Sequence, residues 1–310
     1  ADLSPSQPFS VAFTQPSRPW PAEGVTLMVH TAGGDELLAY APKVLAAAPV
    51  PPAASEPSPP GKVATADELY LIGLHLEQYR HATRCPTLYW REALRRDSGD
   101  ARCNTALGRW YLRRGEWVSA EGHLRAAVAR MTALNANPAD GEAHYHLGLC
   151  LRFQADGLPA GDRAGAVYAD AGEAFAKAAW NQGWAAAAWH ALAETECCQG
   201  NWTAALGHLE LSLRSGADNL RARALKVMVL RRLGREEDAS VLLKQTRELD
   251  PLDAWSGHLD GVSVTAEAQI WLDVAHDLAR AGLHAEALHC LEARGLVGQG
   301  PDTSGALPTQ

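Results

Sequence analysis

The chain has 310 residues, of which 47% are hydrophobic and 21% charged. That apolar share supplies a sizeable core and excludes wholesale disorder. With 28 basic against 36 acidic side chains, the formal charge is −8, which argues against a nucleic-acid binder, where a basic face is expected.

The chain opens Ala1-Asp2-Leu3-Ser4-Pro5, with neither an initiator Met nor a charged-then-apolar leader, so it reads as part of a longer or processed polypeptide. Three short segments follow: Phe9–Thr14, Val25–His30 and the apolar run Leu37–Tyr40. The first two alternate apolar and polar residues, and Gly33-Gly34 forms a turn before the third. They predict a β segment over residues 1–45. So little strand cannot bury a core alone. It is expected to complete a β-sandwich, upstream or packed against it. Residues 46–62, with PVPPAASEPSPP at 49–60, read as a Pro/Ala-rich linker. Limited proteolysis is expected to cut there first and to release a helical fragment that keeps its circular-dichroism spectrum. Loss of helicity on removing residues 1–60 would place the strands in the core of the helical part.

From residue 63 to 297 the pattern turns helical and repeats, and residues 298–310 read as a flexible tail. Gly115, Gly200, Gly234 and Gly282 align as turn glycines. Five residues after each stands Ala120, Ala205, Ala239 or Ala287, and four further on Leu124, Leu209, Leu243 or Leu291. Seven residues before each stands Gly108, Ala193, Val227 or Ala275, a position that is often small. Six units begin near Asp67, Ala101, Gly141, Ala186, Leu220 and Ala268. Two junctions step by 34 residues, and the other three carry insertions of 6, 11 and 14. These fall at an overlong helix end over Asn135–Pro138, at an internal turn over Gly157–Gly161, and over residues 254–267.

These spacings resemble the tetratricopeptide repeat (TPR), a 34-residue helix–turn–helix unit. The resemblance covers about 230 residues. It implies an all-α right-handed superhelix of about six TPR-like helix pairs, preceded by the short β segment. Small residues such as Gly108 and Gly148 on first helices then face large ones such as Trp90, Leu124 and Phe175 on second helices. The first unit departs, with His81 at the turn-glycine position and Pro86 at the alanine position. A narrower resemblance rests on EQYRHATRCPTLYWREALRRDSGDARCNTALG, NPADGEAHYHLGLCLRFQ, FAKAAWNQGW and GADNLRARALKVMVLRRLGR. These phrases are similar to the C-terminal TPR region of large bacterial proteins. The β-rich domain upstream in those proteins is related to sugar-processing enzymes. That resemblance implies an interaction module that docks onto or positions a β-rich neighbour. Its alternative is the C-terminal part of a carbohydrate-active enzyme.

No HExxH, GxSxG, Walker loop or dinucleotide fingerprint occurs, so no catalytic residue, cofactor or metal is expected. His144 and His146 diverge by about 200° on a helix and cannot chelate together. The pairs Glu194/Glu196 and Asp170/Glu173 read as solvated helix faces. The six cysteines contain no CxxC pair and read as reduced thiols in a cytoplasmic protein.

First helices line the inner groove of TPR arrays. Counting the frame, that strip carries His75, Arg102, Arg109, Tyr145, Arg152, His190, Glu194, Arg231 and His276. An Arg- and aromatic-lined groove suits carboxylates, acidic peptides or sugar hydroxyls. The alternative is that these arginines pair with Glu and Asp of neighbouring units. A protein, peptide or glycan partner, or a second copy of the chain, fits this reading. Replacing Arg109, Arg152 and Arg231 by Gln is expected to weaken partner binding and leave the melt unchanged. Trp117 and Trp202 share one repeat position and read as packing residues. Trp180 and Trp184 flank an inter-unit turn and read as a contact site.

Overall fold

The computed structural model describes residues 25–42, 53, 55–159, 161–262, 264 and 266–296. The chain divides into two units, residues 1–57 and 58–310. In the first, β1 (Leu27–His30) pairs antiparallel with β2 (Glu36–Tyr40), and the register shifts between Val29 and His30. Thr31 and Asp35 close the connecting turn, where Gly34 takes φ 93°. Leu27, Met28, Leu37, Leu38 and Tyr40 are all exposed. The strand expected at Phe9–Thr14, residues 46–52 and 54 of the linker, and the tail lie outside the described residues.

The second unit opens with a 3-10 turn at Pro60–Lys62. Arg96 donates to the carbonyls of Val63 at 2.9 Å and Ala64 at 3.1 Å, and Tyr89 to that of Ser58 at 3.0 Å. Residues 58–62, expected as the end of the linker, are thereby fastened to the helices. Six helix pairs follow, in two layers. They are α1 (Ala66–Gln78) with α2 (Pro86–Arg96), α3 (Ala101–Arg113) with α4 (Trp117–Met131), and α5 (Glu142–Asp156) with α6 (Asp162–Ala178). Next come α7 (Gln182–Cys198) with α8 (Trp202–Ser215), and α9 (Leu220–Arg232) with α10 (Glu236–Leu249). The short α11 (Ala254–Leu259) precedes the last pair, α12 (Ala268–Arg280) and α13 (His284–Glu292).

The four aligned glycines all take the left-handed conformation, with φ 72°, 76°, 72° and 72° at Gly115, Gly200, Gly234 and Gly282. At Gly115 the amides of residues 115 and 116 return to the carbonyls of Leu112 and Tyr111. The same pair of bonds recurs at the other three turns. This Schellman closure satisfies the last helical carbonyls and needs a residue at ease with positive φ. In the first unit the frame requires correction by one residue. The left-handed position is Arg80, φ 48°, not His81, because α1 ends at Gln78. Seven residues before Arg80 stands Gly73, so the small position is kept.

Small-to-large crossings hold the two helices of a pair together. A Cβ on Gly108 would lie 2.5 Å from Leu124 Cγ, and one on Gly148 would lie 2.6 Å from Phe175 Cδ1. In the first unit a Cβ on Gly73 would lie 2.3 Å from the Trp90 indole nitrogen. Gly108→Leu should therefore overpack the second unit and cost about 1–3 kcal/mol in thermal or urea unfolding. An unchanged melt would reject this crossing.

Two inserted segments differ from expectation. The helix does not run on through Asn135–Pro138. α4 stops at Met131, and the Asn135 side chain accepts the Asn137 amide at 3.0 Å. Pro138 has no amide to continue a helix and restrains the residue before it. Residues 254–267 are not a plain insertion either. The helix α11 starts 34 residues after α9 starts and packs on both α9 and α10, so it occupies the sixth first-helix position in register. Gly261, φ 71°, ends it with another Schellman closure.

Candidate functional site

The first-helix layer of units one to three carries a pocket whose apolar floor is ringed by charged groups. Tyr70, Arg102, Thr105, Arg109, Asp140 and Glu142 line about 270 Å³. The Arg102 guanidinium stands 5.2 Å over the Tyr70 ring and pairs with Asp67 and Asp100. Its side chain is 49% exposed. Asp100 also caps α3 by accepting the Cys103 amide at 2.8 Å, which holds the carboxylate beside Arg102. Arg109 is half-buried and joins three units, donating to Glu77 at 2.6 Å and to Glu142 at 2.9 Å. Glu142 is held below the usual carboxylate range, mainly by its bond with His146 and by Arg109. Burial pushes the Tyr70 hydroxyl up, so it is a neutral donor. His75 is exposed and meets Tyr79 at 4.5 Å with the ring planes tilted by 40°.

Further along the same layer the expected groove is occupied. Arg152 is 1% exposed and Glu194 2%. Arg152 Nη1 donates to Glu194 Oε2 at 3.1 Å, and Arg280 Nη2 donates to the same oxygen at 2.7 Å. Arg152 Nη2 also donates to the Arg280 carbonyl, as does the Cys198 thiol at 3.3 Å. Asp156 lies 3.8 Å from Arg152 Nε. Burial alone would raise the Glu194 carboxyl, but the Arg280 and Arg152 guanidinium groups hold it below its ordinary value. Burial pushes His190 down, so it stays neutral at pH 7. Asp277, also buried, is pushed up despite Arg221 at 3.0 Å.

Glu194 is buried, not on the solvated face expected of it, and Arg152 pairs with an acidic residue of the neighbouring unit, the alternative given for the groove arginines. Arg152, Glu194 and His190 are brought together, whereas Arg102 and Arg109 form a separate group. Arg231 is also committed: it donates to the Leu259 carbonyl at 3.2 Å and pairs with Glu236. Tyr145 packs between Phe175 and Trp184, with ring centroids at 5.8 and 5.0 Å. His276 is exposed on α12. Arg280 and Asp277 escaped the sequence reading. The signal was present, since Arg280 stands four residues after His276 and shares its helix face.

The two tryptophans at the inter-unit turn part company. Trp184 packs on Tyr145 and His146 and donates to Asp140 at 3.2 Å. Trp180 is 73% exposed, with Lys177 Nζ at 5.5 Å. Trp117 and Trp202 both lean on the next unit, against Phe153 at 5.3 Å and Arg232 at 5.6 Å.

No family model matches the chain. Among solved structures, PilF of Pseudomonas aeruginosa aligns with TM-score 0.50 and 15% identity, over 74% of this chain and 91% of its own. The fold is a TPR-like helical repeat. A thermophilic TPR protein of Thermus thermophilus aligns at TM-score 0.48 and 16% identity, over 69% of this chain and all of its own. YrrB, described as a TPR protein with an unusual peptide-binding site, aligns at 0.47 and 15%, over 64% and 93%. At these identities the likeness concerns the fold. Among the described residues no helix is long and apolar enough to cross a membrane.

Proposed function

We propose that this chain is a non-catalytic interaction scaffold that holds a segment of a protein partner on the first-helix layer of its first three units. The observation that carries this reading is the contrast along that layer. At units one to three it offers an open pocket with a half-exposed guanidinium at Arg102. At units three and four Arg152 and Glu194 are instead buried beneath Arg280 of the last helix pair. The pair of Arg102 with Asp67 lies at the surface, where such bonds contribute little. A partner carboxylate can replace Asp67, whose side chain is 70% exposed, with Tyr70 and Thr105 adding neutral hydrogen bonds.

The proposal extends to the N-terminal strands. Two strands with both faces exposed do not make a stable sheet by themselves. They suit pairing with a β-rich neighbour, whether a domain of the same polypeptide or a separate protein, which the array would position. The carbohydrate-active alternative has the sequence resemblance as its support. Within this chain Glu194 is neutralised by two guanidinium groups, which makes it a poor general acid or base.

Titration of acidic peptides against wild type and Arg102→Gln tests the pocket. Loss of one charge-assisted bond should weaken binding by about 1.5–3 kcal/mol, roughly tenfold or more. The melt should change little, because the pair lost with Asp67 is exposed and Asp100 keeps its bond to the Cys103 amide. Equal binding by both proteins would remove this pocket from consideration.

A further inference from the structure

The last helix pair meets the array with reciprocal charges. Arg280 reaches Glu194 on α7 and lends its carbonyl to Arg152 on α5. Three residues earlier, Asp277 faces Arg221 on α9. On the same helix Trp271, Val274 and Leu278 are buried, in one apolar cluster with Leu225 and Val229 of α9. Apolar residues at i, i+3 and i+7 give α12 one buried face.

Two facts make this pair an added occupant rather than the next repeat. The stacking position after unit five is already filled by α11, in register and packed on α9 and α10. The array residues that meet the charges of α12 all come from α5, α7 and α9, the layer whose extended surface repeat arrays use for binding.

We propose that the face of α5, α7 and α9 is a docking surface for an amphipathic helix carrying Asp-x-x-Arg, and that α12 is its built-in occupant. A partner helix of that pattern supplies a cation to Glu194, a backbone carbonyl to Arg152 and a carboxylate to Arg221, and it must displace α12 to do so. The inference rests on the reading of the chain as an interaction module and adds a second, self-covered surface to it.

The test compares closed and released forms of the full chain. A Cβ at position 282 would lie 3.7 Å from the Cys198 Cβ, a separation that a disulfide spans, and 3.1 Å from the Cys198 Cα, which a shift of a few tenths of an ångström relieves. Gly282→Cys, in a Cys85→Ser background that removes an exposed thiol, locks the pair shut on oxidation. Its reduced form controls for the strain of cysteine at a φ of 72°. Asp277→Arg with Arg280→Glu releases the pair by charge reversal. The probe is a labelled synthetic peptide of residues 268–294 with the native sequence. It should bind the charge-reversed chain at least about tenfold more tightly than wild type, because the competent state is no longer rare. It should not bind the oxidised lock, and the same peptide with both charges reversed should bind none of them.

Hydrogen exchange on the charge-reversed chain should show residues 268–294 losing protection while 101–198 keep theirs. Equal peptide binding by lock, wild type and released chain would overturn the proposal. So would collapse of protection throughout 101–249, which would make the pair an integral part of the core. Neither outcome bears on the Arg102 titration, which addresses a different pocket.

Discussion

Glu194→Ala should cost about 3–5 kcal/mol, because it removes the one carboxylate that both Arg152 and Arg280 bond and leaves only Asp156, 3.8 Å from Arg152, beside them. Both guanidinium groups reach the one carboxylate oxygen, at 3.1 and 2.7 Å. Burying a lone charge costs several kcal/mol even after relaxation. Arg152→Gln should cost less, since Arg280 still answers Glu194, yet it should not be neutral. The Gln triple at positions 109, 152 and 231 is thus expected to lower the melt, contrary to the sequence expectation. Thermal melts across pH give an independent check. The folded Glu194 carboxyl lies below its ordinary value. Its contribution is therefore complete above the unfolded value of about 4.3 and lost as pH falls through the folded one. Asp277 is shifted upward, so its contribution has the opposite sign and is lost as pH rises through its folded value. Glu194→Gln should show a shallower fall in melting temperature between about pH 5 and 3 than wild type. Parallel curves would show that Glu194 is not coupled to the two arginines.

Trp90→Ala should be about as costly, roughly 3–5 kcal/mol, as expected for truncating a fully buried indole. Trp90 is 0% exposed, donates its ring N–H to the Tyr70 carbonyl at 3.3 Å and meets Trp110 edge-on at 6.4 Å. The loss should concentrate in unit one, because α1 and α2 pack on each other and on α3 of the next unit. Hydrogen exchange should show α1 and α2 opening well before α7 to α9. Gly73 supplies a sharper check. Gly73→Ala alone should destabilise, since its methyl would enter the indole. Combined with Trp90→Ala it should add almost nothing, because the methyl then enters the vacated space. Additive costs would mean that the two residues do not share one crossing.

Much of this architecture was legible in the residues. The Gly115, Gly200, Gly234 and Gly282 series marked turns because a Schellman closure needs positive φ, and glycine adopts it without a Cβ clash. Gly108 and Gly148 marked crossings because their partners Leu124 and Phe175 need the space of a side chain. The one-residue error in unit one arose where no glycine was present to read. Arg80 takes the left-handed position without advertising it, and Gly73 identifies the register only once Trp90 is known to lie on it.

The candidate site was legible in composition but not in arrangement. Periodicity placed Arg102, Arg109, Arg152, Glu194 and Arg231 on first helices, since a helix face follows from spacing alone. It could not say which of these charges meet solvent. That was decided by where the last helix pair lies, and its position depends on α11, six residues that take the next stacking place and send α12 across the layer. Arg152 and Arg280 are 128 residues apart, so their contact belongs to the path of the chain through space. Local sequence determined the helices, turns and crossings of this protein, because those interactions span a few residues or one repeat. Only the tertiary structure decided which arginines are buried and which stretch of the layer stays open, because burial is a property of what packs on top.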